Sequence, residues 1–166
     1  MKKFFVLFGI FLATSAFALS GEYINHRFSA ADAPMYKSVK LDQSSCQNGG
    51  VIAKFYGADA MNFCVGKKEE RVFRYKKCLG VEVGQYLKKC LGVKKEVIQI
   101  NSKSVTFDKA DGAIVLTEKT IDEGVLLFEQ EYRLQDLGKG QLRLTHSFQS
   151  YHDNRSGTSE YNFDKK

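Results

Sequence analysis

The sequence predicts an all-β domain, an antiparallel meander closed into a small up-and-down barrel of about eight to ten strands. Three observations lead there. Apolar residues alternate with polar ones over the last seventy residues, as in Leu126-Phe128-Gln130-Tyr132-Leu134, where four of the five even positions are apolar and Glu129, Glu131 and Arg133 fall between them. Such alternation marks strands with one buried and one wet face. Polar, glycine-bearing breaks recur at 108–112, 122–124, 136–140 and 153–157, and glycine supplies the positive φ that tight turns need. These breaks fall every ten to seventeen residues, a hairpin-like spacing that favours an up-and-down barrel. A β-sandwich is the alternative, with one short helix near 84–91 as a variant of it.

Residues 1–18 carry the pattern of a signal peptide. Lys2 and Lys3 form a basic start, Phe4 to Leu12 an apolar run, and Ala16-Phe17-Ala18 a small-x-small cleavage site. The apolar run is shorter than the roughly 20 residues a membrane-spanning helix needs. The expectation is a periplasmic or secreted protein cleaved after Ala18, with residues 19–166 as a single domain of ordinary length.

Strands are expected near 21–28, 36–41, 50–56, 60–65, 71–83 and 86–100, and then at 104–108, 113–120, 124–135, 140–150 and 157–163. In Leu142-Leu144-His146-Phe148 the even positions again share one face, with Arg143, Thr145 and Ser147 opposite. Many strands in one domain expose long edges unless the sheet closes or pairs with a second sheet, and the hairpin-like spacing favours closure.

The hexapeptide Lys-Lys-Cys-Leu-Gly-Val occurs twice, at 76–81 and 88–93, each copy holding one of four cysteines. In an oxidising compartment Cys46, Cys64, Cys78 and Cys90 are expected to form disulfides. The gaps between them, seventeen, thirteen and eleven residues, are too long for a zinc knuckle, so no metal and no cofactor is expected. Two geometries compete for the repeat. A helix would align Leu79, Val83, Leu87 and Leu91, but its glycines would each cost about 1 kcal/mol, and twelve helical residues rise about 18 Å, beyond disulfide reach. A hairpin turning at Gly84 places Cys78 opposite Cys90, where a bridge would contribute roughly 2–3 kcal/mol, and leaves Cys46 to Cys64.

The charge is concentrated. Residues 67–96 hold ten Lys/Arg against four Glu, while 97–166 hold nine against eleven acidic residues. Arg71, Arg74, Lys76, Lys77, Lys88, Lys89, Lys94 and Lys95, with Phe73, Tyr75 and Tyr86 among them, are the candidate surface for an anionic lipid, glycan or protein partner. A solvated basic face is the plainer reading. Nucleic acid is not expected.

A Gly-x-Ser-x-Gly elbow, a His-Glu-x-x-His helix and a P-loop are all missing, so no enzyme is expected. His146 lies on the apolar side of its strand between Leu144 and Phe148, as either a satisfied core group or the polar anchor of a ligand. A small apolar ligand would be lined by Leu126, Phe128, Tyr132, Leu142, Leu144 and His146. If those side chains fill the interior instead, the chain is a structural or protein-interaction domain, an inhibitor among the forms that takes.

Near the start of the domain, Gly21-Glu22-Tyr23 stands where lipocalins carry a Gly-x-Trp motif. In outline the chain resembles a small calycin-type barrel of the lipocalin kind. It has no tryptophan, so Tyr23 takes the place of the signature ring, with Arg143 or Arg155 in the place of the arginine that packs across it. The resemblance implies a cup-shaped barrel that carries an apolar ligand.

Overall fold

The computed structural model describes residues 19–79, 82–83, 89–90 and 92–166, with 82–83 and 89–90 described as backbone. The chain is β almost throughout: β1 Gly21–Ile24, β2 Ser38–Asp42, β3 Gly50–Phe55, β4 Ala60–Cys64, β5 Lys68–Cys78, β6 Glu82–Val83, β7 Lys89–Cys90, β8 Lys94–Asp108, β9 Ala113–Asp122, β10 Val125–Gly138, β11 Gln141–Ser150 and β12 Arg155–Lys165. A single 3-10 turn, Pro34–Lys37, interrupts the described strands, with Pro34 at its start where a missing N–H costs nothing. The expected strand at 36–41 therefore begins two residues late.

Ten strands form one antiparallel sheet in the order β4-β3-β2-β1-β12-β11-β10-β9-β8-β5. Each neighbour is a neighbour in sequence except at two places: β5 pairs with β8 across the β6–β7 excursion, and β1 pairs with β12 through Tyr23 opposite Lys165 and Ile24 opposite Asp164. The meander is thus as expected. Its turns are those the sequence marks: Glu123 (φ 49°) and Gly124 (φ 81°) form a two-residue connection of the kind whose twist suits a hairpin.

The closed barrel is not what forms. β4 and β5 are the two edges of the sheet and do not pair with each other. The cause lies in three residues. Val65 still donates to Gly49 beside β3, but Gly66 (φ 84°) donates to Val105 and Val105 donates to Lys67, so the chain changes partner within one step and runs on along β8. Strand lengths prevent the edges from meeting again. β1 to β4 are four to six residues long and β8 to β12 ten to fifteen, so the long half has no short-half strand to close upon.

The core occupies the end where the halves face each other. Val39, Val51, Phe55 and Phe63 from the short strands meet Val105, Ile114, Leu134, Leu142, Leu144 and Phe163 from the long ones, all nearly or fully buried. The disulfide Cys46–Cys64 ties the β2–β3 loop to the end of β4 beside this core. Cutting the entropy of an eighteen-residue loop contributes about 3 kcal/mol in the chain-entropy model.

Residues 94–100 of the expected strand 86–100 run on through 104–108 as the single β8, while Lys89–Cys90 forms the separate β7. The hairpin that carries the repeat also differs in register. Leu79 donates to Val93, Cys78 lies opposite Lys94, and Glu82 lies opposite Cys90, pairings that a hairpin turning at Gly84 with Cys78 opposite Cys90 does not give. Cys78 is disulfide-bonded, but it does not sit across from Cys90 in the ladder. The register is set by the long β5–β8 ladder, which seats Tyr75 against the buried Val97. Of the helix considered at 84–91, residues 89–90 are strand β7 instead, and 84–88, 91 and the Cys90 side chain lie outside the described residues.

Candidate site: the open seam and the polar wall beside it

Where the sheet fails to close, a cleft of about 410 Å³ opens between its edges. Asp59, Ala60, Met61 and Asn62 line it from the β4 side, and Lys67, Glu69, Lys103 and Glu118 from β5, β8 and β9, over an apolar floor of Val105 and Leu116. Lys67 pairs with Glu69 at 3.0 Å, and Lys103 pairs with Glu118. These cations are therefore already neutralised, and with Asp59 the cleft is near balance. It is not an anion trap.

A chain of polar contacts leads from the cleft along the core side of the sheet. Glu118 accepts from Gln130 Nε2 at 2.5 Å, and Gln130 accepts from the Tyr132 hydroxyl at 3.3 Å. Tyr132 stacks flat on His146, with ring centroids 4.4 Å apart. The Tyr36 hydroxyl lies 3.5 Å from His146 Nδ1, and the Tyr36 ring stacks on Tyr161 at 3.8 Å. Cross-strand pairing builds this wall, because Lys103, Glu118, Gln130 and Phe148 are successive partners across β8, β9, β10 and β11. The 3-10 turn then lays Tyr36 over it. Burial, with Tyr36 and Glu118 nearby, pushes the Tyr132 hydroxyl up to about 12, so it stays protonated and a donor.

The expected ligand-lining residues scatter. Leu142 and Leu144 are wholly buried in the core and offer no surface. Phe128, Tyr132 and His146 share the core side, half-buried, with Phe128 beside Phe148. Leu126 leaves that set. The register shifts between Leu126 and Phe128, so Leu126 lies opposite Ile121 while Phe128 lies opposite Thr120, and the two residues face opposite sides. The basic residues divide in the same way. Strand alternation sends Arg71, Lys77 and Lys95 to one face of the β5–β8 ladder and Arg74, Lys76 and Lys94 to the other, and Lys95 is held by Glu123 at 2.7 Å. The side chains of Lys88 and Lys89 lie outside the described residues. Of the two lipocalin stand-ins, Arg143 pairs with Glu160 and Asn162, and Arg155 with Asp153, while Tyr23 is buried in the core.

Sequence reasoning missed Lys67, Glu69, Lys103 and Glu118. Two signals pointed towards them. Gln130 is the lone polar member of its apolar face, and Glu118 continues the inward register of Ile114 and Leu116.

His146 carries an unmet group. Its Nε2 is buried and has no hydrogen-bond partner among the described residues. Burial holds its pKa below the ordinary 6.5, against an opposing pull from Glu118. The unfolded chain therefore takes up this proton more readily than the folded one. The contribution to stability is complete above pH 6.5 and is lost as the pH falls below it. His146→Phe keeps the stack on Tyr132 and removes the orphan nitrogen, at the loss of a long contact with Tyr36. The variant is expected to gain about 1 kcal/mol at neutral pH, and its melting temperature is expected to fall less on acidification. Parallel acid slopes for both proteins would refute this account.

Fold and site together define an open, curled antiparallel-β meander with a hydrophobic core and a cleft at its unjoined edges. No family model, no curated protein and no solved structure matches the chain. Among the described residues no helix is long and apolar enough to cross a membrane, and no group of His, Cys, Asp and Glu has the spacing to hold a metal ion.

Proposed function

We propose that this is a non-enzymatic binding protein of the periplasm or cell exterior that acts as a protein-interaction domain, and that its working surface is the β5–β8 arm. One observation carries the reading. Every residue of β5 from Lys68 to Lys77 is exposed, on both faces of the strand, in a molecule whose core is full. Val72, Phe73 and Ile98 lie open on this arm, and exposed apolar groups gathered on one element mark contact surfaces. Export rests on the signal-peptide pattern of residues 1–18.

A second reading has its own support. The seam cleft, with Met61, Val105 and Leu116 below and hydrogen-bonding walls above, suits a small amphipathic ligand better than a wholly apolar one. The lipocalin-like outline rests on the sequence resemblance alone, and the separate β4 and β5 edges depart from the closed cup it implies.

Native mass spectrometry of the protein from its own host's envelope tests both. The expected result is a chain free of small molecules, in protein complexes that Val72→Ser/Phe73→Ser abolishes. A bound lipid or metabolite that disappears with Lys103→Ala would overturn the arm in favour of the cleft.

A further inference from the structure

Among the described residues β5 is a sheet edge, bonded to β8 on one side only. Ten successive residues of this edge, Lys68 to Lys77, are exposed on both faces, and an edge of that length offers outward N–H and C=O groups as a template for another strand. Proteins blunt such edges with charge, and a single sign of charge would prevent two copies from pairing. β5 carries something different. Its sequence, Lys-Glu-Glu-Arg-Val-Phe-Arg-Tyr-Lys-Lys-Cys, has both acids near one end, after Lys68, and the Lys76-Lys77 pair near the other.

We propose that β5 pairs antiparallel with β5 of a second copy, about a two-fold axis at Phe73, to make one continuous sheet. The proposal rests on the arm being the contact surface, and it names the partner. With Phe73 opposite its own copy, Glu69 falls opposite Lys77, Glu70 opposite Lys76 and Arg71 opposite Tyr75, each twice by symmetry. Opposite residues share a face, so two glutamate–lysine pairs form on each side of the sheet. The register is selective. A slip in one direction sets Lys68 against Lys76, and a slip in the other sets Arg71 against Lys77 and Arg74 against its own copy.

The groups are at liberty to pair. Among the described residues Glu70, Arg71, Arg74, Lys76 and Lys77 form no salt bridge, and Glu69 holds only the exposed Lys67. Val72, Phe73 and Tyr75 are 51%, 46% and 39% exposed, and the dimer would set Phe73 against its own copy, Val72 against Arg74 and Tyr75 against Arg71. The other edge, β4, is five residues long and offers no such pattern.

Sedimentation velocity of the purified protein over a range of concentrations tests the pairing. The wild type is expected to dimerise. Glu69→Lys/Glu70→Lys and Lys76→Glu/Lys77→Glu each set like charges opposite and are expected to weaken the dimer at least about tenfold. An equal mixture of the two variants restores every opposite-charge pair and is expected to dimerise again. A monomeric wild type, a dimer indifferent to both variants, or a mixture that stays monomeric would each overturn the proposal. If the wild type is monomeric while Val72→Ser/Phe73→Ser still abolishes the envelope complexes, the arm stands as the contact surface and only the second copy is refuted. If both results are negative, the arm reading falls as well.

Discussion

Replacing Gly50 by alanine is expected to destabilise the protein by about 3 kcal/mol or more. Gly50 opens β3 with φ at 103°, a conformation that residues with a Cβ rarely adopt. A Cβ there would lie 2.1 Å from the Phe63 carbonyl oxygen and 3.0 Å from Cys64 Cα. Both are backbone atoms of the strand paired with Gly50, and Cys64 is tied to Cys46, so neither has room to yield. Gly112→Ala is the control. Its φ is 66° and nothing lies within 4 Å of the added carbon. It should cost about 1–2 kcal/mol, from the backbone conformation alone. Urea unfolding of the two variants separates the terms, and equal losses would show that the contact with Phe63 is not what makes Gly50 necessary.

Truncating Phe63 to alanine should cost about 3–5 kcal/mol. A domain of this size has about 5–15 kcal/mol in all. Phe63 is wholly buried although its strand is an edge, because it faces Val51 across the ladder and points into the core where the two halves of the sheet meet. Its loss should do more than lower the midpoint. β4 is held on one side only, so amide exchange over residues 60–64 should rise well ahead of that in β10 and β11. Leu144→Ala, on a central strand, should cost about 2–5 kcal/mol without that local opening. Uniform exchange in both variants would place the seam's anchor elsewhere.

The long strands were legible because one face of each is buried and period-two alternation reports that directly. Where the core-side face turns polar, the signal fails. Asn101-Ser102-Lys103 looks like a break because Asn101 and Lys103 occupy the register that apolar residues hold lower in β8, and it is in fact continuous strand. The wall of Lys103, Glu118 and Gln130 joins three strands, and cross-strand adjacency is a property of register rather than of local pattern. The bulge that turns Leu126 away from Phe128 leaves the alternation of letters unchanged, so nothing in 124–135 announced it. Closure was the largest error. Hairpin spacing dictates which strands are neighbours, but whether the last edge meets the first depends on strand lengths and on the single corner at Gly66.

The pairing of β1 with β12 also sets the order in which this chain can fold. The hairpins among β8, β9, β10, β11 and β12 join segments adjacent in sequence, and their loops close at small entropic cost. Tyr23 meets Lys165 only when nearly the whole chain is present. A chain emerging amino end first, from a ribosome or a translocation pore, must carry β1 with one side unpaired until its last strand is free. The short-stranded half is then the late and slow half, and Gly50, Phe63 and the Cys46–Cys64 bridge lie in the part of the molecule with the longest wait for its partners.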